Sequence, residues 1–140
     1  MADSKVTFEL VAPERLLVSA DVDMVVVPGT EGDFGVLPGH APLIAAVRAG
    51  VIDIYEGGLE SKSITQRIFV AGGVVEVTET RCTVLAEQAA PVGDLKAADA
   101  QARLDAARSR VTEAGADEIA RDRALKDVAI AEAMLAAIAA

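Results

Sequence analysis

Hydrophobic residues recur at every second position through much of the first 88 residues and at every third or fourth position after residue 89. The two periods mark strands in the first part and helices in the second. In the first part Val6, Phe8 and Leu10 alternate with Thr7 and Glu9, and Val51, Ile52 and Ile54 surround Asp53. Side chains of a strand point alternately to opposite faces, so this pattern describes half-buried strands. In the second part Ala97, Ala100, Leu104, Ala107 and Val111 fall on one side of a helix, and Ala124, Val128, Ala131, Leu135 and Ile138 on one side of another. Composition changes at the same place. Residues 1–88 hold nine of the eleven glycines and nine alanines, whereas 89–140 hold two glycines and nineteen alanines, which sets a domain boundary there.

Nine β-rich runs occupy the first part: KVTFELV, RLLVSA, DMVVV, APLIAAV, VIDIYE, SKSITQ, RIFVAG, VVEVT and RCTVLAE. Gly57-Gly58, Gly72-Gly73 and Thr78-Glu79-Thr80 stand between runs and read as hairpin connections by length and residue type. Many short strands with turn signals predict a β-sandwich or barrel, here cored by Val, Ile and Leu. After Pro91, Gly93-Asp94 offers a turn and an N-cap oxygen for a first helix. Gly115 interrupts, and Asp117 caps a second helix with Glu118 in its favourable first turn. The pair reads as an antiparallel helical hairpin. Its stripes are mostly methyl groups, and a buried CH₂ contributes only about 0.8 kcal/mol, so its grip is light. A hairpin that can leave the sandwich and one that stays docked both remain open.

A net charge of -9 with 3% aromatic residues lacks the cationic surface that phosphate neutralisation needs and the stacking platform that single strands use, so no nucleic-acid partner is expected. The opening MADSKVTFEL has no charged-then-apolar signal pattern, and apolar runs such as AMLAAIAA at 133–140 fall far short of the roughly 20 residues that span a bilayer, so no membrane insertion is expected. Cys82 is the sole cysteine and reads as a small buried strand residue. His40 is the sole histidine and the one candidate base of a small β-sandwich enzyme, but nothing resembles a nucleophile elbow. One histidine and one cysteine do not make a transition-metal shell, and Glu31 and Asp33 do not extend into a calcium loop, so neither catalytic residues nor a metal are assigned.

The residues 29–50, GTEGDFGVLPGHAPLIAAVRAG, place four of their five glycines, at 29, 32, 35 and 39, ahead of an apolar run. They match neither G-x-G-x-x-G nor the Gly-Lys-Ser/Thr of a P-loop. Their spacing supplies tight backbone shape for turns and bulges. This loop inside a short-stranded module, then Gly72-Gly73 before VVEVT, then an alanine-rich hairpin, resembles over essentially the whole chain the epsilon subunit of bacterial F-type ATP synthases.

The resemblance implies a mainly β plus α fold, with a sandwich of about ten short strands over 1–88 and a two-helix hairpin over 89–140. It implies a non-catalytic central-stalk subunit of a proton-translocating rotary motor, peripheral to the cytoplasmic face of the bacterial inner membrane. The sandwich would bind the gamma subunit and rest on the membrane c-ring, joining ring rotation to the gamma shaft. Glu31, Gly32 and Asp33 fall where the family faces the c-ring, and His40 and Pro42 near the gamma contact. The hairpin would restrain ATP hydrolysis by reaching the catalytic alpha/beta hexamer, with Arg103, Arg108, Arg110, Arg121 and Arg123 as its candidate contacts. The alternative is an ATP-sensing module built on a Leu/Ile-Asp-x-x-Arg-Ala motif. Here Leu95-Lys96-Ala97-Ala98-Asp99-Ala100 reverses both charges, and the similar Leu104-Asp105-Ala106-Ala107-Arg108-Ser109 stands nine residues on. ATP is therefore not carried over as a cofactor.

Overall fold

The computed structural model describes residues 5–58 and 63–140. The chain divides into two compact units, one ending at Pro91 and one spanning Val92–Ala140. Among the described residues the first unit has eight strands: β1 (Val6–Ala12), β2 (Arg15–Val22), β3 (Met24–Gly29), β4 (Gly32–Val36), β5 (Leu43–Tyr55), β6 (Ile64–Val77), β7 (Arg81–Ala86) and β8 (Ala89–Pro91). They pair in the order β2-β1-β7-β6-β5-β3-β4, with β8 also on β6. All neighbours are antiparallel except β1 and β7.

The strands number eight rather than about ten because two of them are long. APLIAAV and VIDIYE join into the thirteen-residue β5, while the end of SKSITQ, RIFVAG and VVEVT join into the fourteen-residue β6. Ser61 and Lys62 of SKSITQ lie outside the described residues. Conversely, β4 and β8 arise where no hydrophobic run announced a strand. The pair Gly72-Gly73 is not a hairpin connection but lies inside β6, at φ +115° and +149°. There β6 passes from pairing with β8, at Ile68 to Val70, to pairing with β7, at Gly73 to Val77. Strands β5 and β6 thus serve both layers of the sandwich, and glycine is needed where β6 crosses over. Gly57 has positive φ between β5 and β6, and the Thr78–Thr80 turn closes with the Thr78 amide donating to the Arg81 carbonyl at 2.8 Å.

Alternation delivers the core. Val6, Phe8 and Leu10 of β1 are buried with Val25 and Val27 of β3, Ile52 and Ile54 of β5, and Val75 and Val77 of β6. Each such side chain contributes about 1.5–3 kcal/mol on burial. The buried Asp23 ties the entry of β3 to the β5–β6 connection: it pairs with Lys5 and accepts the Gly58 amide, while its own amide donates to the Tyr55 carbonyl at 2.8 Å. The Lys5 hydrogen bond, then the Gly58 amide, hold its carboxyl below the usual value.

The second unit opens with a 3-10 turn, Val92–Asp94, followed by α1 (Ala97–Ala114) and α2 (Glu118–Ala139). Asp94 is consumed in the 3-10 turn, so Lys96 occupies the α1 N-cap without a side-chain bond. Asp117 caps α2, accepting the Ala120 amide at 3.1 Å. Ala100, Leu104 and Ala107 are buried on α1, and Ala124, Ile130, Ala131 and Ala137 on α2. Because these contacts are mainly methyl groups, ion pairs fix the register of the two helices. Asp127 of α2 accepts from Arg103 at 3.2 Å and Arg110 at 2.8 Å, and Arg108 approaches Glu132 at 3.8 Å.

The Arg110 hydrogen bond, then the Arg103 one, outweigh partial burial and hold the Asp127 carboxyl below its ordinary value. A depressed folded-state value contributes stability above the unfolded carboxyl value, near pH 4, that is lost as pH falls through the lower folded one. Asp127→Ala is expected to destabilise the hairpin by about 1 kcal/mol. Helical circular dichroism during thermal melting at neutral pH and near pH 3 checks this, with the mutant's deficit shrinking in acid.

Candidate functional site

Tight backbone geometry builds the loop that the sequence singled out. Strands β3 and β4 join through Thr30 and Glu31, with Gly32 at φ +133°. Gly29 has no room for a side chain, since a Cβ there would lie 2.7 Å from the Gly32 carbonyl oxygen. The Thr30 amide donates to the Ala46 carbonyl at 3.1 Å, tying this tip to β5. Arg48 reaches over from β5 to donate to the Gly29 carbonyl at 2.6 Å and the Asp33 carboxylate at 2.5 Å. Glu31 and Gly32 are exposed on the tip beside Asp33. Glu31 makes no hydrogen bond or ion pair with the described residues.

The chain then runs from Leu37 to Pro42. The His40 amide donates to the Leu37 carbonyl at 3.1 Å, and the Gly39 amide to the Glu79 carbonyl at 2.7 Å, which joins this loop to the β6–β7 turn. His40 is half-buried, its Nδ1 donating to the Ala41 carbonyl at 2.7 Å and its ring centroid 6.5 Å from that of Phe34. Its side chain braces the loop. Cys82 is buried on β7, and burial pushes its thiol up to about 12, far from a thiolate at neutral pH. No group of three His, Cys, Asp or Glu that could hold a metal occurs among the described residues.

One surface feature had no counterpart in the sequence motifs, a row of exposed apolar side chains on the sheet. Ala46 of β5, Val74 of β6, Leu85 of β7, Val11 of β1 and Leu16 of β2 are successive cross-strand partners, so their side chains share one outward face. Val74 is 45% exposed, Leu85 55%, Leu16 54%, and Ile44, beside the row on β5, 72%. Pro42 lies exposed two residues ahead of Ile44. The neighbouring row is polar, with Glu76, Thr83 and Glu9 in register and Arg81 donating to Glu9 at 2.5 Å. Apolar side chains grouped in one strip with a polar margin suit a protein contact better than singly scattered surface residues do. Its sequence signal is that VVEV and VLA carry apolar residues on both faces of their strands.

Of the hairpin arginines, Arg103, Arg108 and Arg110 face the neighbouring helix through the pairs described above. Arg121 and Arg123 are exposed near the start of α2. Arg110 and Arg123 also line an open groove of about 410 Å³ with Glu113, Ala114, Asp117 and Ala120. Lys96 and Asp99 stand at the N-cap and in the first turn of α1, where the acidic residue suits the helix dipole.

The family model of the ATP synthase delta/epsilon chain β-sandwich domain matches residues 5–92. The chain is 56% identical over 137 residues to the ATP synthase epsilon chain of Paramagnetospirillum magneticum, covering 96% of this chain and 98% of that one. This chain belongs to the ATP synthase epsilon-chain family. Another epsilon chain, from Rhodospirillum rubrum, is 55% identical over 130 residues, or 93% of each chain. Among solved structures, a chain of the Euglena gracilis mitochondrial ATP synthase, in an assembly of OSCP, F1 and c-ring, superposes with a TM-score of 0.80. The match covers 96% of this chain and 82% of that one at 20% identity, and so speaks for a shared fold alone. In this chain the β-sandwich domain and the two helices that follow it are as expected from the sequence. No helix among the described residues is long and apolar enough to cross a membrane.

Proposed function

We propose that this chain is a non-catalytic rotor subunit of the ATP synthase central stalk, joining c-ring rotation to the gamma shaft. The observation that carries this reading is the meeting of two unlike surfaces at β5. The apolar row starts at Ala46, and the carbonyl of that same residue holds the charged Thr30–Glu31 tip. A rotor element placed between two partners needs such a pair of faces. The apolar row with Pro42 at its edge is the gamma contact, and the tip with Glu31, Gly32 and Asp33 is the c-ring contact. Here His40 shapes the loop beside the gamma face and takes part in no bond-breaking step. Torque transmission asks for shape and stiffness, which the cross-strand ladder supplies. The location that follows is peripheral, at the cytoplasmic face of a bacterial inner membrane, with protons as the coupled ion.

The hairpin, as a separate domain, would restrain ATP hydrolysis by contact with the catalytic hexamer. Arg121 and Arg123 can make that contact while the helices stay together. Arg103, Arg108 and Arg110 join only once they part from Asp127 and Glu132. The test adds purified protein to membranes stripped of the native subunit. ATP-driven proton pumping should return, and the added protein alone should hydrolyse no ATP. Pumping that stays absent while the chain binds neither gamma nor the ring overturns the reading. A chain ending at Pro91 should restore pumping but leave hydrolysis unrestrained, and equal hydrolysis with and without the hairpin removes its regulatory role.

A further inference from the structure

We propose that Arg48 is a positioning residue for the ring-facing tip, and that it leaves Glu31 as the single uncompensated carboxylate presented there. This rests on the c-ring contact proposed above. The guanidinium bridges the last carbonyl of β3 and the first acidic side chain of β4, 2.6 Å from the Gly29 oxygen and 2.5 Å from Asp33. The planar guanidinium makes the two bonds from two nitrogens held in a rigid fork, whereas a lysine ammonium would have to reach both oxygens from one nitrogen on a flexible stem. The bridge has two effects. It spans the mouth of the two-residue turn between β3 and β4, and it cancels the Asp33 charge. Glu31, one residue beyond Thr30, then carries the tip's net charge. The complementary partner is a polar loop bearing one cationic group placed opposite Glu31, and the fixed turn sets its register.

Exposure of both partners, with 45% of the Arg48 side chain and 59% of the Asp33 side chain accessible, means that the bridge adds little to global stability. Its value lies in where it holds the tip. That separates the positioning role from a structural one.

The experiment uses the full chain with Thr30→Cys reconstituted on stripped membranes whose c-ring carries single cysteines along its polar loop, with disulfide yield read at each ring position. Native Cys82 is buried and does not compete. With Arg48 present, cross-links should concentrate at one or two ring positions. In Arg48→Met the yield there should fall about threefold, the size expected for loss of an exposed ion pair, and spread to neighbouring positions. Arg48→Lys should behave like Arg48→Met, while Asp33→Asn, which keeps the Gly29 bond, should retain the narrow pattern at reduced sharpness. The melting temperature should stay within about 3 °C throughout. No cross-link to the ring from the Arg48 chain defeats the ring contact itself. A ring cross-link whose yield and spread are unchanged in Arg48→Met or Arg48→Lys defeats the positioning role and leaves the ring contact standing.

Discussion

Replacing Gly73 with alanine is expected to lower the melting temperature of the chain by more than about 10 °C. A Cβ at this position would lie 2.0 Å from the Leu85 carbonyl oxygen and 3.0 Å from the Ala86 Cα, both backbone atoms of the neighbouring strand β7. No rotamer change relieves a clash with backbone. The residue also sits at φ +149°, where a side chain is strained whatever the space. Overpacking costs about 1–3 kcal/mol and the dihedral about as much again. Together these remove a large share of the roughly 5–15 kcal/mol that holds a domain folded. For a domain of this size each kcal/mol moves the midpoint by about 4–8 °C. Calorimetry on the full chain checks it, with Gly35→Ala as control: that glycine meets only the Met24 sulfur at 3.5 Å and should move stability by less than about 0.5 kcal/mol. A Gly73→Ala midpoint within about 2 °C of the native one would show that β6 and β7 do not approach so closely.

Gly73 also shows where reading the sequence succeeds and where it stops. Periods of two and of three to four residues located both units because burial on one face leaves a one-dimensional trace in β1, α1 and α2. The Asp117 cap was legible for the same reason: capping acts over three residues. Gly72-Gly73 looked like a turn because a glycine pair signals unusual backbone and says nothing of whether the chain reverses or only bends. The glycine-rich tip was legible as a motif, whereas the Arg48 bridge was not, since its partners lie 15 and 19 residues away along the chain. The apolar row was hidden more deeply. Val74 and Val75 are neighbours of one residue type, and only the fold makes one exposed and the other buried. Five strands had to be placed in register before Val11, Leu16, Ala46, Val74 and Leu85 became one surface.

That surface carries the second large expectation: Leu85→Glu should weaken binding of the gamma subunit by about 100-fold or more while leaving the free chain folded. Leu85 stands in the middle of the row, between Val74 and Val11, and is 55% exposed, so in the isolated chain a glutamate there keeps its hydration. Its stability should change by about 0.5 kcal/mol at most. Docking an apolar partner would strip that hydration without offering a countercharge, at several kcal/mol for an unpaired carboxylate. Since each 1.4 kcal/mol is about tenfold in affinity, two decades or more follow. Ile64→Glu makes the same chemical change at a residue 43% exposed but outside the row, paired with Tyr55 instead. It should leave affinity within about twofold, because rim and non-interface charges have small effects. Titration calorimetry of each purified variant with the gamma subunit distinguishes the cases. Equal binding by native chain and Leu85→Glu would detach the row from gamma, and equal losses from both variants would trace the effect to net charge and not to place.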